Sequence, residues 1–186
     1  MSQPRVSIQT RDFDLSAEVA ALRAGDARVG AVCAFVGTVR DRNGPPTLPA
    51  EQGLPSPEAG DSPWGGPAAI RDSATVSAME LEHYPGMTEK AIEAMIDETH
   101  RRFDVFGVRV IHRIGLLQPQ DQIVLVAVTS AHRGESFQAC EFLMDYLKTQ
   151  APFWKKEQTS DGARWVDARV SDDAALARWG IGANNA

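Results

Sequence analysis

Two short runs of this sequence hold side chains suited to handling anions. Residues 130–133 read Ser-Ala-His-Arg and directly follow the apolar run Ile123–Thr129. A strand that gives way to a helix offers free backbone N–H groups and the positive end of a helix dipole. His132 and Arg133 placed there suit a phosphate. The plainer alternative is a His132 that caps or packs and an Arg133 that is solvated. The second run holds Lys148, Lys155, Lys156 and Glu157 on either side of Pro152. The proline turns the chain, so Lys148 and Lys155 can be carried to one site, with Phe153 and Trp154 as its apolar wall. Neighbouring cations depress one another's pKa, and a lysine tuned that way serves as nucleophile or acid–base group near neutral pH. Lysines that simply complement a helix C-terminus are the alternative.

Other candidates are thinner. Arg40 closes the run GTVR, where a long cationic side chain reaches a ligand or, more plainly, solvent. Glu82-His83-Tyr84 offers an acid–base group or a structural strand end. Ser130 and His132 stand too close together for a triad, and no GxSxG elbow is present. Neither GxxxxGK[ST] nor GxGxxG occurs, so a nucleotide P-loop or dinucleotide fold has no support.

The elements that must position these groups follow from periodicity and punctuation. Residues 5–9 suggest a short edge strand, and 16–24 a helix capped by Ser16. Val29–Val39 is dense in Val and Gly and reads as a buried strand, with Gly30 and Gly37 marking bends or close backbone approach. Residues 41–73 hold seven of the 11 prolines, at positions 45, 46, 49, 55, 57, 63 and 67, and so sustain neither helix nor ladder. We read them as an insertion within one domain spanning 1–186, since neither flank alone closes a core. Trp64 within it touches the body, a partner or solvent.

Beyond the insertion, Ala74–Tyr84 suggests a half-buried strand, and Thr88 a cap for a helix through Phe103 with a stripe of Ile92, Met95, Ile96 and Phe103. Val108–Ile114 alternates as a strand, and Ile123–Thr129 is apolar on both faces, as a central strand is. Glu135–Gln150 predicts the longest helix, its core face formed by Phe137, Cys140, Met144 and Leu147. Pro152 ends it. Phe153–Glu157 and Ala163–Ala168 form a closing hairpin, and Ser171 starts a terminal helix bearing Leu176 and Trp179. The class is α+β, without regular βαβ alternation.

Composition bounds the function. Of 186 residues, 43% are hydrophobic and 24% charged, the balance of a globular domain with a real core. A net charge of −6 argues against a general nucleic-acid binder, while a local basic pocket stays allowed. Cys33 and Cys140 are too few for a zinc site; they read as two buried reduced thiols, with a disulfide between them as the alternative. The N-terminus lacks a secretory pattern and no apolar run approaches a membrane span, so a cytoplasmic protein with no membrane partner is expected.

Taken together, the segments GAVCAFVGTVRDRN (30–43), LEHYPGMTEKAI (81–92), the run 110–140 that contains TSAHR, FLMDYLKTQAPFWKKE (142–157) and RWVDAR (164–169) closely resemble the molybdopterin synthase large (catalytic) subunit family. The resemblance covers nearly the whole chain except the insertion and the extreme ends. It implies an α/β hammerhead-type fold with a mixed or antiparallel sheet and packed helices, and a homodimer at the centre of a heterotetramer. Each copy would bind a small β-grasp, ubiquitin-like carrier whose C-terminal Gly-Gly thiocarboxylate donates sulfur to cyclic pyranopterin monophosphate. The resemblance makes Lys148 and Lys155 the catalytic pair. It assigns Arg40, His132 and Arg133 to the phosphate and pterin, partly across the dimer interface, with Lys156, Glu157 and Arg169 as supporting pocket residues. No cofactor is implied, and the carrier supplies the sulfur, so neither cysteine need react. The insertion after Arg40 departs from the family's shorter loop. A non-catalytic module that captures a ubiquitin-like tail is the second reading. It has no need of a lysine pair.

Overall fold

The computed structural model of this protein describes residues 4–41, 76–159, 162–166 and 178–180. The Pro/Gly-rich insertion beyond Asp41, Trp64, Arg169 and the expected helix at Ser171 lie outside the described residues.

Two four-stranded sheets share the work. The first is built from β1 (Val6–Gln9), β4 (Val105–Arg113), β6 (Gln122–Ser130) and β2 (Ala31–Thr38), in that order across the sheet. β1 pairs with β4 in parallel, and the other pairings are antiparallel, so this sheet is mixed. The second sheet is wholly antiparallel, in the order β5 (Gly115–Leu117), β3 (Val76–His83), β7 (Phe153–Thr159) and β8 (Gly162–Val166).

Alternation along β6 explains the layers. Val124, Val126 and Val128 point to one face and join Ile92, Ile96 and Phe142 of the helices α2 (Met87–Arg102) and α3 (Arg133–Thr149). Leu125 and Ala127 point to the other face and meet Val19 and Leu22 of α1 (Leu15–Arg23), together with Phe13. β6 is therefore covered on both sides, as its continuous apolar run requires. A third cluster of Val39, Met79, Leu81 and Leu117 joins the two sheets. Trp179 closes one end of the main core, edge-on to Phe103 and Phe142 with ring centroids 6.0 and 5.4 Å away.

Several expectations shift in detail. α1 is capped by Asp14, whose Oδ1 accepts from the Ala17 N–H at 3.0 Å, and not by Ser16. Gly86 (φ 79°) caps α2, because the left-handed backbone needed to turn out of β3 falls there and Glu89 Oε2 accepts the Gly86 N–H at 2.6 Å. Thr88 is instead buried in the first turn. β2 is the larger correction. It lies at the sheet edge with Val32 and Phe35 exposed, and among the described residues no strand pairs with its outer side. Its apolar composition reads as interior because a single chain does not reveal what covers an edge.

Burial fixes one titration. His112 sits under Phe153, its ring stacked at 3.7 Å, and its Nδ1 lies 2.8 Å from Arg113 O. Burial first, and the neighbouring His83 charge last, hold it down to about 4 against an ordinary value of 6.5. Between those two pH values the unfolded chain takes up a proton that the folded chain refuses. The contribution is thus complete above pH 6.5 and is lost as pH falls toward 4, on the order of 3 kcal/mol in all. Chemical denaturation at pH 7 and 4.5 should show a shallower acid limb in His112→Phe. An unchanged limb would exclude this imidazole as its source.

Among the described residues no helix is long and apolar enough to cross a membrane, and no group of three or more His, Cys, Asp or Glu gathers as a metal site.

Candidate active site

β2 and α3 lie alongside one another and leave a groove of about 320 Å³ between them. From α3 come Phe137, Cys140, Met144 and Lys148, which at spacings of three or four residues form one stripe along the helix. From β2 come Cys33 and Phe35, alternate residues on the face toward α3. The walls are apolar apart from Glu141, whose carboxylate pairs with Arg178 at 3.2 Å, and Lys148 in the last turn of α3 places an ammonium at one end. Phe137 was expected in the core, yet it is 59% exposed, and Phe35 is 41% exposed. Both rings line the groove because the helix stripe overhangs an edge strand that, among the described residues, has no strand beyond it.

The thiols are free, with Cys140 buried and Cys33 half-buried. Burial, aided by the adjacent Cys33 thiol, pushes the Cys140 thiol up to about 12. It stays protonated at neutral pH and is no nucleophile.

Lys155 does not line this groove. It sits on the inner face of β7, where its Nζ pairs with Glu157 Oε1 at 2.7 Å. Glu157 is fully buried, so the neighbour in contact with Lys155 is a carboxylate and not the second ammonium expected from sequence. Lys155 lies opposite Leu81 and Glu157 opposite Met79. Both therefore face the cluster that contains Val39, the residue before Arg40. Lys156 does not join them. Strand alternation turns it to the outer face, where its ammonium lies 5.6 Å from the centre of the Trp165 ring. It is thus on the face of β7 away from the Lys155–Glu157 pair.

The SAHR run sits where sequence placed it, between β6 and α3. His132 is the N-cap residue of α3, but its side chain makes no cap hydrogen bond, and both His132 and Arg133 are exposed. A capping role is thereby removed. The backbone approach is tight: Gly30 N–H donates to Ser130 O at 3.1 Å, and a Cβ at Gly30 would collide with Ala131 O. Any side chain there would displace the His132 loop.

The run is nonetheless remote from the other candidate site cations of its own chain. From Arg133 to Lys148 the helix rises about 22 Å. β2 is antiparallel to β6, with Ala31 opposite Ser130 and Thr38 opposite Gln122. His132 thus marks one end of β2 and Arg40 the other, a strand length of roughly 23 Å apart. The Lys148 end of the groove, the Lys155–Glu157 pair and Arg40 lie toward one side of the molecule, and His132 and Arg133 toward the opposite one.

Comparison with known proteins decides the family. The family model described as MoaE protein matches residues 68–150. The molybdopterin synthase catalytic subunit of Ralstonia nicotianae is 55% identical over 183 residues, covering 98% of this chain and 88% of its own. The chain belongs to the MoaE family of molybdopterin synthase catalytic subunits. Members of this family are sulfur-transferring enzymes of molybdenum cofactor biosynthesis. Solved structures agree with the fold. The molybdopterin biosynthesis MoaE protein of Burkholderia ambifaria superposes with a TM-score of 0.70 at 52% identity, covering 96% of this chain and 99% of that one. Molybdopterin synthase of Staphylococcus aureus gives 0.67 at 25% identity, with 89% and 98% covered. The two sheets and three helices are thus the family's α/β fold.

Among the groove residues, sequence missed Phe35. Nothing in a lone apolar run distinguishes an edge strand from a covered one.

Proposed function

We propose that the groove between β2 and α3 receives the C-terminal Gly-Gly tail of a small β-grasp carrier as a thiocarboxylate. Its sulfur then passes to cyclic pyranopterin monophosphate, and two such transfers build the molybdopterin dithiolene. The observation that carries this reading is the largely apolar trough that ends at the Lys148 ammonium. Glycines bring no side chains to clash with Phe35 and Phe137, and an anionic tail end meets a cation in partly desolvated surroundings.

In this reading Lys148 acts nearest the thiocarboxylate carbon. Lys155 assists proton transfer and stabilises negative charge as it develops, with buried Glu157 holding its ammonium in place. Arg40 meets the phosphate, and Arg169, placed there by the family resemblance, belongs to the same pocket.

His132 and Arg133 come from a second copy. A two-fold axis that sets two β2 edges antiparallel brings the Ala31 end of one copy to the Thr38 end of the other. Each SAHR run then lies beside the other copy's Lys148 and Arg40. The exposed apolar edge of β2 supports such pairing, since folded proteins seldom leave one open. This homodimer forms the centre of a heterotetramer with two carriers. The proposed compartment is the cytoplasm, in keeping with two thiols that remain free.

Purified protein mixed with thiocarboxylated carrier and the cyclic pterin should yield the dithiolene. Carrier binding without product would instead support the non-catalytic, tail-capturing module.

A further inference from the structure

LEHYPGMT is among the sequence's most specific runs, and it contributes no group to the site proposed above. Its place in the fold gives it a task. Thr88 is fully buried in the first turn of α2. Its Oγ1 accepts the Tyr84 N–H at 3.1 Å and lies 3.1 Å from both Tyr84 O and Pro152 O. Tyr84 O already receives the Met87 and Thr88 N–H groups at 3.1 and 3.0 Å. The single hydroxyl proton therefore goes to Pro152 O.

Pro152 lies in the bend between α3 and β7, four residues after Lys148 and three before Lys155. The next residue, Phe153, is held from another side. Its ring stacks on His112 of β4 at 3.7 Å, and its backbone lies opposite His83 of the same LEHYPGMT run. The bend is thus fixed from the end of β3, the start of α2 and β4 together. A threonine hydroxyl with both its proton and a lone pair engaged at zero exposure is costly to leave half-satisfied. The pairing makes sense if the position of this bend matters.

We propose that Thr88 and His112 are positioning residues that brace the Pro152–Phe153 bend and so set Lys155, and its distance from Lys148, for sulfur transfer. Neither touches substrate. Their effect on turnover rests on the function proposed above, whereas their effect on Lys155 does not.

The experiment compares Thr88→Val, Thr88→Ser and His112→Leu in the full chain, each adjusted for its folded fraction. One readout is labelling of Lys155 by an amine-acylating reagent, followed by mass spectrometry. The other is sulfur transfer with saturating carrier and pterin. Thr88→Val keeps the shape and loses the hydroxyl. It should label severalfold faster at Lys155 and lose roughly tenfold in kcat with KM within twofold, as displacement of a reacting group predicts. Thr88→Ser restores both values. His112→Leu carries the same expectation by the other contact and serves if Thr88→Val fails to accumulate. Unchanged Lys155 labelling in Thr88→Val and His112→Leu overturns the brace, as does a kcat loss that Thr88→Ser shares or one fully explained by unfolded protein. Faster labelling of Lys155 with no transfer activity even in the unaltered chain would retain the brace and remove the proposed function.

Discussion

Lys148→Ala should lose sulfur transfer by at least about a hundredfold while carrier binding stays within a few fold. The ammonium lies in the last turn of α3, at the end of a groove whose other contacts are apolar except for Glu141, which pairs with Arg178. In the proposed function the apolar contacts, through Phe35, Phe137 and Met144, would supply tail affinity in the unreacted state, and the substitution leaves them untouched. The cation contributes chiefly where negative charge develops, and removal of one such preorganised group commonly costs about 10²–10³ in kcat. Single-turnover product formation, beside a binding isotherm for the carrier, separates the two quantities. Near-normal turnover would take Lys148 out of the mechanism. An equal loss of binding and rate would make it a docking residue only.

The second large effect concerns how a complete site is assembled. Arg133→Ala should also abolish activity, yet a mixture of the two inactive variants should recover roughly a quarter of the activity of the unaltered protein. With random exchange, about half of the dimers pair one variant with the other. In each mixed dimer one site lacks both groups, and the other joins an intact Lys148 from one chain to an intact Arg133 from its partner. Half of the dimers with half of their sites restored gives a quarter. The expectation rests on the proposed dimer and on the helix length, because about 22 Å separates these residues within one chain. No recovery after verified subunit exchange would mean that Arg133 serves its own chain or none.

How much of this was legible in the residues differs by element. β6 declared itself because an uninterrupted apolar run is compatible only with cover on both faces, and α3 because its apolar spacing ends at a proline. Lys148 and Lys155 were recognisable as flanking that proline. Their surroundings were not. The carboxylate beside Lys155 comes from two positions along the same strand, and only knowledge that this face of β7 is buried shows that they touch. The separation of Lys156 from Lys155 was illegible for the same reason, since alternation assigns faces only after one face is known. β2 and Phe137 were read as interior because an apolar surface left open for a ligand or another chain has the composition of a core. Thr88 was read as a cap because threonine near a helix start usually is one. The actual turn needed the left-handed backbone of Gly86.

The pairing of β2 with β6 has a consequence during synthesis. Thr38 meets Gln122, so 84 further residues must be made (122 − 38) before the sheet neighbour of β2 exists. At ribosomal rates of about 5–20 residues per second, that leaves an apolar strand without its ladder for roughly 4–17 s. Residues 41–73 lengthen this interval, though they add little to the entropy of closing the loop. A nascent chain in that condition invites contact with other strands, and abundant holdase chaperones should raise the soluble yield.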